Sequence, residues 1–592
     1  MATPSEEGDP NAPLLVLAEA PARVEMRLGR PLVGPSGDVF MDCLHAAGLI
    51  RRNCYILNIW PKPIDKDKAG NFSMDGEQVW TVSKGFTAYG LDAAVPTLRR
   101  IMASKCNAIL SMGTQAMELL MDDHKKPIMK WRGSPLWSDR VKKKYIPTIH
   151  PAATIHGVYL WRYMIIGDMK KIQGELDSPE LLLPKRTLHV RPTYYDFYQY
   201  IHKCREVGRV ATDLEVVNEQ ISCFSLSCDK EEAMTVPLVG DMQWPGTVPY
   251  WEEDDEIRVW QNYAALMSDP EIEKINQNLV GFDAPYLFNK NHIHTKGKLG
   301  DPMIAQHVLY PDFRKGLDFI ASVHTREPYW KDDGKIWKNP NIEWEQFQRY
   351  CGRDACVALE AWDVLSEEMT AGGYWPTYNR TVRLAGPLTY MSARGLEVDL
   401  EGLGATKAQI EQELAAKEAE LREAAEWDFN VSSPAQCAKY FYETLGLKAY
   451  TKARGGITTD DKAMSRIVRK GGPGAKEAKL TQEVRSLRKL KGTYLEVELD
   501  PDMMLRCSWN PRGTWTGRLS SSQTIFNKGM NLQNLHPQFK GFIVARRKDA
   551  QAHTNGARSP TGEVKEAKVQ EPGEELREDV QTETETDDLS TG

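Results

Sequence analysis

No run of about 18 apolar residues occurs in this chain, so the sequence predicts no membrane-spanning helix. The N-terminus, MATPSEEGDPNAP, has neither a basic start nor an apolar stretch and does not read as a signal peptide. The ten cysteines form no CxxC pair, so they are expected to be reduced, in a cytoplasmic setting. An excess of basic charge is also lacking: 75 Lys and Arg against 82 Asp and Glu leave a net charge of −7. From Gly562 onward eleven acids face three bases, so the rest is close to neutral and local patches must carry any case for nucleic-acid binding. What the chain does have is length and apolar content. Its 592 residues predict three or four domains, and 41% hydrophobic with 27% charged residues suits globular protein.

The stretch that organises the rest is RVATDLEVV, Arg209 to Val217. A turn at Asn218-Glu219-Gln220 and two further β-prone runs, Ile221 to Leu226 and Met234 to Val239, predict an antiparallel meander. Side chains two apart on a strand share a face, so Asp213 and Glu215 point the same way against a sheet where charge is costly to bury. Further on, NLVGFDAPYLF sets Asn278 and Asp283 at a glycine-containing turn, and RYCGRDACVALEAW sets Tyr350 and Asp354 one helical turn apart. Four carboxylates and a tyrosine are thereby expected to converge, a donor set for hard cations such as Mg²⁺ or Mn²⁺.

DLE, NLVGFD and YCGRD resemble the three motifs of the DEDDy 3′→5′ exonucleases in their proofreading form, over about residues 186–370. The resemblance implies a ribonuclease H-like domain with a two-metal site. Asp213, Glu215, Asp283 and Asp354 would hold the metals, Tyr350 would orient the attacking water, and Asn278 would contact DNA. The later aromatics Tyr329, Trp330, Trp337 and Trp344 could stack on unpaired bases, though such residues are more often packing.

Upstream, apolar strands alternate with helical stretches from Leu14 to Pro151, which predicts a parallel sheet with helices on both faces. Glu19, Asn58, Gly113 and His150 fall at the carboxyl ends of its strands, where such sheets bind ligands. LAEAPARVEMRLGRPLVGPSG, YILNIW, WRGSP and IHPAA resemble uracil-DNA glycosylases of family 4, over about residues 12–175. By that match Glu19 would position water, Asn58 would read the uracil edge, and His150 would stabilise charge on uracil O2 in a flipped-base pocket. Leu32 stands where the family has a Phe platform, and Ala18 and Ala22 replace glycines. With no cysteine before Cys43, and Lys62 near a ligand position, no iron–sulfur cluster is expected. These departures predict weak or absent uracil excision.

Residues 176–192, rich in Pro and Glu, read as a linker, followed by the exonuclease-like domain at 193–370. In the C-terminal third, Ile410, Leu414 and Leu421 share a helical stripe, and Ser432 and Ser433 are cap candidates before Pro434. Arg485, Lys489 and Lys491 lie beside Tyr494, a combination suited to a phosphate backbone. TGRLSS (Thr516 to Ser521) and NLQN (Asn531 to Asn534), with MSARGLEVD, FNVSSPAQ and ITTDD, resemble family A DNA polymerases over about residues 375–545. The resemblance implies a mostly helical thumb and a partial palm, with Arg518 and Gln533 on the primer–template backbone. After GFIVA the resemblance stops. The palm and fingers motifs are missing, and residues 546–592 are polar, acidic, aperiodic and expected to be disordered.

The expected protein is an α/β multidomain DNA exonuclease, part of a phage-like replicative polymerase cut before its polymerase site. Its expected partners are a single-stranded 3′ end, primer–template DNA, and a second chain supplying the remaining palm and fingers. The alternatives are a non-catalytic DNA-binding subunit of a split polymerase and a uracil-removing repair enzyme. A ribonuclease D-like enzyme would share the acids, but TGRLSS and NLQN argue for DNA.

Overall fold

The computed structural model describes residues 6–243, 246–338, 344–452 and 456–544. The expected disordered tail at 546–592 lies outside the described residues. Among these, no helix is long and apolar enough to cross a membrane.

Strands Leu14–Ala18, Cys54–Asn58, Ala108–Met112 and Lys143–Thr148 form the parallel centre of a six-stranded sheet, with short antiparallel strands Glu6–Glu7 and Leu136–Ser138 at its edges. Every residue of the first three is buried, as a parallel sheet covered on both faces requires. Strand alternation sorts the core: Leu14 and Val16 join the cluster of helices Pro35–Ala46 and Trp161–Gln173, whereas Leu15 and Leu17 join that of Ala88–Ala103 and Thr114–Met121. A four-stranded antiparallel meander, from Asp65 to Phe86, is inserted after Asn58; its short strands of mixed burial gave no apolar run to read.

The second sheet has the order Thr187–His189, Glu232–Pro237, Gln220–Asp229, Arg209–Val217, Glu273–Ile275, Leu299–Gly300. The three central strands are the antiparallel meander, and the outer three join it in parallel. Its first strand, Thr187–His189, lies inside the stretch read as a linker: the Pro- and charge-rich surroundings hid an edge strand. Helix Trp344–Gly372 crosses the meander, and its carbonyls satisfy buried strand hydroxyls. Ser225 Oγ donates to Cys351 O (3.1 Å) and Thr235 Oγ to Gln348 O (2.8 Å).

Buried charge pairs line the seam between the two sheets' domains. Arg132 is fully buried against Asp168, with Nε donating to Oδ2 at 2.9 Å, and its Nη1 donates to Ser322 Oγ at 2.9 Å. Lys144 meets Glu175 at 2.9 Å, and Arg186 meets Glu327 at 2.8 Å and Glu360 at 2.5 Å. Phe319, from helix Leu317–His324, inserts into the first domain's core.

In the C-terminal third, helix Leu400–Ala425 packs along Ala475–Leu490. The stripe on the first helix serves two cores. Leu414 and Leu421 pack with Phe429, Phe441 and Val484, whereas Ile410 packs with Leu495, Leu505 and Phe539. Ser433 caps Pro434–Ala438 by accepting from Gln436 N; Ser432 Oγ instead accepts from Arg488. A small sheet of Met504–Leu505, Leu396–Val398 and Ile543–Val544 follows. Nearby, Ile525 and Phe526 pack onto the core of the second sheet's domain, the Phe526 and Tyr286 rings 5.5 Å apart.

Candidate metal centre and nucleic-acid interface

The acidic recess is built from three separate pieces of chain. Strand Arg209–Val217 buries Thr212 and Leu214 and turns Asp213 and Glu215 to the other face, where they stand opposite Ser225 and Cys223. A bulge between Glu215 and Val216 bends the strand end, a device common beside active sites. Asp283 opens helix Asp283–Asn291 and accepts from Leu214 N at 3.2 Å, which ties it to the strand. Asn276 Nδ2 donates to Asp213 Oδ1 at 3.1 Å. Helix Trp344–Gly372 delivers Tyr350 and Asp354 one turn apart. Asp354 accepts from Trp330 Nε1 at 2.6 Å and pairs with Lys331, whose Nζ also donates to Tyr350 OH at 3.0 Å. The five residues expected to converge are therefore gathered in one recess.

Electrostatics there are one-sided. Burial, with the charge of Asp354 behind it, pushes the Asp213 carboxyl up to about 7, against the pull of Lys331 and Asn276. Burial and then Asp213 raise both Glu215 and Asp283, and burial with the neighbouring carboxylates raises the Tyr350 phenol. Although burial opposes it, Asp354, Asp213 and Glu215 hold the Lys331 ammonium above its ordinary value. Four acids beside one ammonium give a desolvated site in which full ionisation lacks a matching counter-charge. That donor set fits divalent cations with oxygen ligands. Atoms of Asp213, Glu215 and Cys351 lie within 4.8 Å of one another, so a buried thiol adjoins the carboxylates. Asn276, Lys331 and Cys351 escaped the sequence reading, and Trp330 entered it only as one of the later aromatics. Asn276 carries the one usable signal, a polar residue just past a strand end.

The expected DNA contacts divide. Asn278 has a left-handed backbone, and its Oδ1 accepts from buried Arg512, a residue of the C-terminal third. Its side-chain oxygen is thus engaged within the protein, while the residue itself is half-buried. Arg485 is likewise turned inward, donating to Val431 O (2.8 Å), Thr459 O (2.6 Å) and Cys437 Sγ (3.3 Å). Lys491 pairs with Glu411 at 3.0 Å. Lys489 and Arg518 are exposed, and Gln533, also exposed, donates to Leu519 O at 3.0 Å. Of the aromatics, Trp330 and Trp344 are buried and Tyr329 packs on Trp131; the side chain of Trp337 lies outside the described residues.

In the first domain, Glu19, Asn58 and His150 stand at the carboxyl ends of the parallel strands. Gly113, at φ 91°, lets the chain pass between Glu19 and His150: a Cβ there would lie 2.5 Å from Glu19 Oε1 and 3.3 Å from His150 Cβ. Burial raises the Glu19 carboxyl, while His150 and Lys66 pull it back. Leu32 has a left-handed backbone and a side chain buried in the core, and Arg51 holds its carbonyl at 3.0 Å.

Comparison with known proteins gives two separate matches. Residues 400–553 match the family model for DNA polymerase family A, and residues 5–158 that for the uracil DNA glycosylase superfamily. DNA polymerase I of Rhizobium leguminosarum is 28% identical over 372 residues, covering 57% of this chain and 35% of its own. The thermostable DNA polymerase I of Thermus aquaticus is 33% identical over 159 residues, 26% of this chain and 18% of its own. The type-4 uracil-DNA glycosylase of Thermotoga maritima is 26% identical over 156 residues, 25% of this chain and 68% of its own. Among solved structures, the POL domain of Pol1 from M. smegmatis, in complex with DNA primer-template and dNTP, aligns with a TM-score of 0.43 at 16% identity, covering 60% of this chain and 57% of its own. This chain spans 35% and 38% of the first two DNA polymerase I relatives, from Rhizobium leguminosarum and Pseudomonas aeruginosa. The chain is thus similar to uracil-DNA glycosylases over its N-terminal quarter and to family A DNA polymerases over residues 400–553.

Proposed function

We propose that this chain is a metal-dependent 3′→5′ DNA exonuclease working beside a polymerase-like DNA grip. The observation that carries the reading is the recess itself: Asp213, Glu215, Asp283, Asp354 and Tyr350, from three distant segments, with more buried carboxyl groups than Lys331 can offset. Asp213, Glu215, Asp283 and Asp354 would hold Mg²⁺ or Mn²⁺. When bound, such ions lower the pKa of water and neutralise the leaving 3′ oxygen.

The chain's own residues do the rest. Lys331 donates to the Tyr350 oxygen, so the phenol hydrogen points away from the ammonium and toward the Asp354 carboxyl, which holds the hydroxyl in place beside the acids. Asn276 and Leu214 N fix Asp213 and Asp283, so neither must reorganise when a phosphodiester arrives. Exposed Lys489 and Arg518 suit backbone contacts that position DNA without reading its sequence. The similarity of residues 400–553 to family A polymerases makes DNA the preferred substrate.

The test is a 5′-labelled primer on a longer template with Mg²⁺, with and without dNTPs, beside Asp213→Ala. Shortening by the wild type alone is expected. No shortening would favour the DNA-binding-subunit alternative, and extension would reveal a nucleotide-adding site outside the recess. Uracil excision is a second reading, favoured by the approach of Glu19 and His150 around Gly113; Leu32, buried where that reading needs an aromatic platform, makes it the weaker one.

A further inference from the structure

The chain between Ser322 and Asp333 is a strap that touches both domains. On its outer side it lies on the N-terminal domain. Lys171 Nζ donates to Ser322 O at 2.7 Å, Arg326 pairs with Glu175 at 2.5 Å, and Tyr329 N donates to Ser134 Oγ at 3.1 Å. The Tyr329 ring packs against Trp131 at 5.2 Å, and Lys130 reaches Asp332 at 3.0 Å. On its inner side the strap ends in the acidic recess: Trp330 donates to Asp354, and Lys331 bonds Asp354 and Tyr350 while lying over the Tyr350 ring, 5.0 Å from its centroid. The strap runs on so close to this ring that a Cβ at Gly334 would lie 2.6 Å from Tyr350 Cζ.

We propose that Lys331 is a positioning residue of the exonuclease recess and that the N-terminal domain, through this strap, holds it there. The proposal rests on the exonuclease reading above. Two consequences follow from the geometry. Lys331 occupies a lone pair of the Tyr350 oxygen and so directs the phenol hydrogen. It also puts a positive charge on Asp354, so a divalent cation must bind against that charge. Removing the ammonium should therefore tighten metal binding and slow hydrolysis together. General damage to the recess would weaken both.

The test uses the full chain. Mn²⁺ is titrated calorimetrically into wild type, Lys331→Met, Lys331→Arg and Trp131→Ala, and each is assayed for release of 3′ nucleotides at saturating Mn²⁺. Lys331→Met should bind Mn²⁺ about tenfold more tightly and turn over roughly 10²-fold more slowly, with KM for the oligonucleotide unchanged. Lys331→Arg, which keeps charge and donor, should restore most of the rate. Trp131→Ala, altered only on the far side of the strap, should shift both readouts the same way by smaller factors. Weaker Mn²⁺ binding in Lys331→Met, or no change in either readout, overturns the assignment. A wild type that binds Mn²⁺ but spares 3′ ends overturns the exonuclease reading instead, and the calorimetric arm keeps the two failures apart.

Discussion

Two of the places where this molecule buries ionisable groups treat them in opposite ways. Along the seam between the first two domains three buried cations have carboxylate partners: Arg132 has Asp168, Lys144 has Glu175, and Arg186 has Glu327 and Glu360. In the recess, Asp213, Glu215, Asp283 and Asp354 share one ammonium, that of Lys331. Both arrangements cost desolvation. At the seam paired hydrogen bonds offset the cost. In the recess it is left standing and shows as raised carboxyl groups. Paired buried charge reads as architecture, and buried charge of one sign reads as a site awaiting a cation.

The largest expected effect breaks the paired side. Arg132→Ala leaves Asp168 buried with the Thr148 hydroxyl but without its paired cation and should cost about 3–5 kcal/mol in urea unfolding. Arg132→Met with Asp168→Leu should recover much of that loss, because neither charge then remains.

The unpaired side should behave in reverse. Asp213→Ala should reduce 3′-nucleotide release by at least about 100-fold. Asp213→Asn should leave the metal-free protein as stable as wild type or more so at pH 8, as thermal melts would show. The pH dependence follows the same sign. Asp213 titrates near 7 when folded and near 3.9 when unfolded, so the folded state binds the extra proton. Its contribution is present below the unfolded value and lost as pH rises through about 7. The metal-free chain should thus lose on the order of 1–4 kcal/mol between pH 4 and pH 8 from this group. Asp213→Asn should abolish that component, and Mg²⁺ at pH 8 should restore the stability.

How much of this was legible depends on whether the signal was local. Asp213 and Glu215 were readable because strand alternation puts residues two apart on one face, and Tyr350 and Asp354 because a helical turn does the same. The parallel strands of the first domain announced themselves as short apolar runs. Trp330 and Lys331 had no such signal: they lie on an irregular strap, and only tertiary packing brings them to Asp354. Thr187–His189 hid among prolines and charges. Arg485 sits in a basic run that looked solvent-facing, yet the Val431 and Thr459 carbonyls of the packed neighbouring segments draw it inward.

That last difference gives the smallest expected effects. Arg485→Ala should lower stability by about 1–3 kcal/mol and leave the salt dependence of DNA binding nearly unchanged. Lys489→Ala, on the exposed side of the same helix, should leave stability alone and lower the salt slope of DNA binding by about 1.

The central claim is that the excess of buried carboxyl groups in the recess exists to hold metal. Calorimetric titration of Mn²⁺ into the wild-type chain at pH 8, beside Asp213→Asn with Glu215→Gln, tests it most directly. Saturable binding by the wild type that disappears in the double variant is the expected result. Equal binding by both proteins, or none by the wild type, would contradict the account.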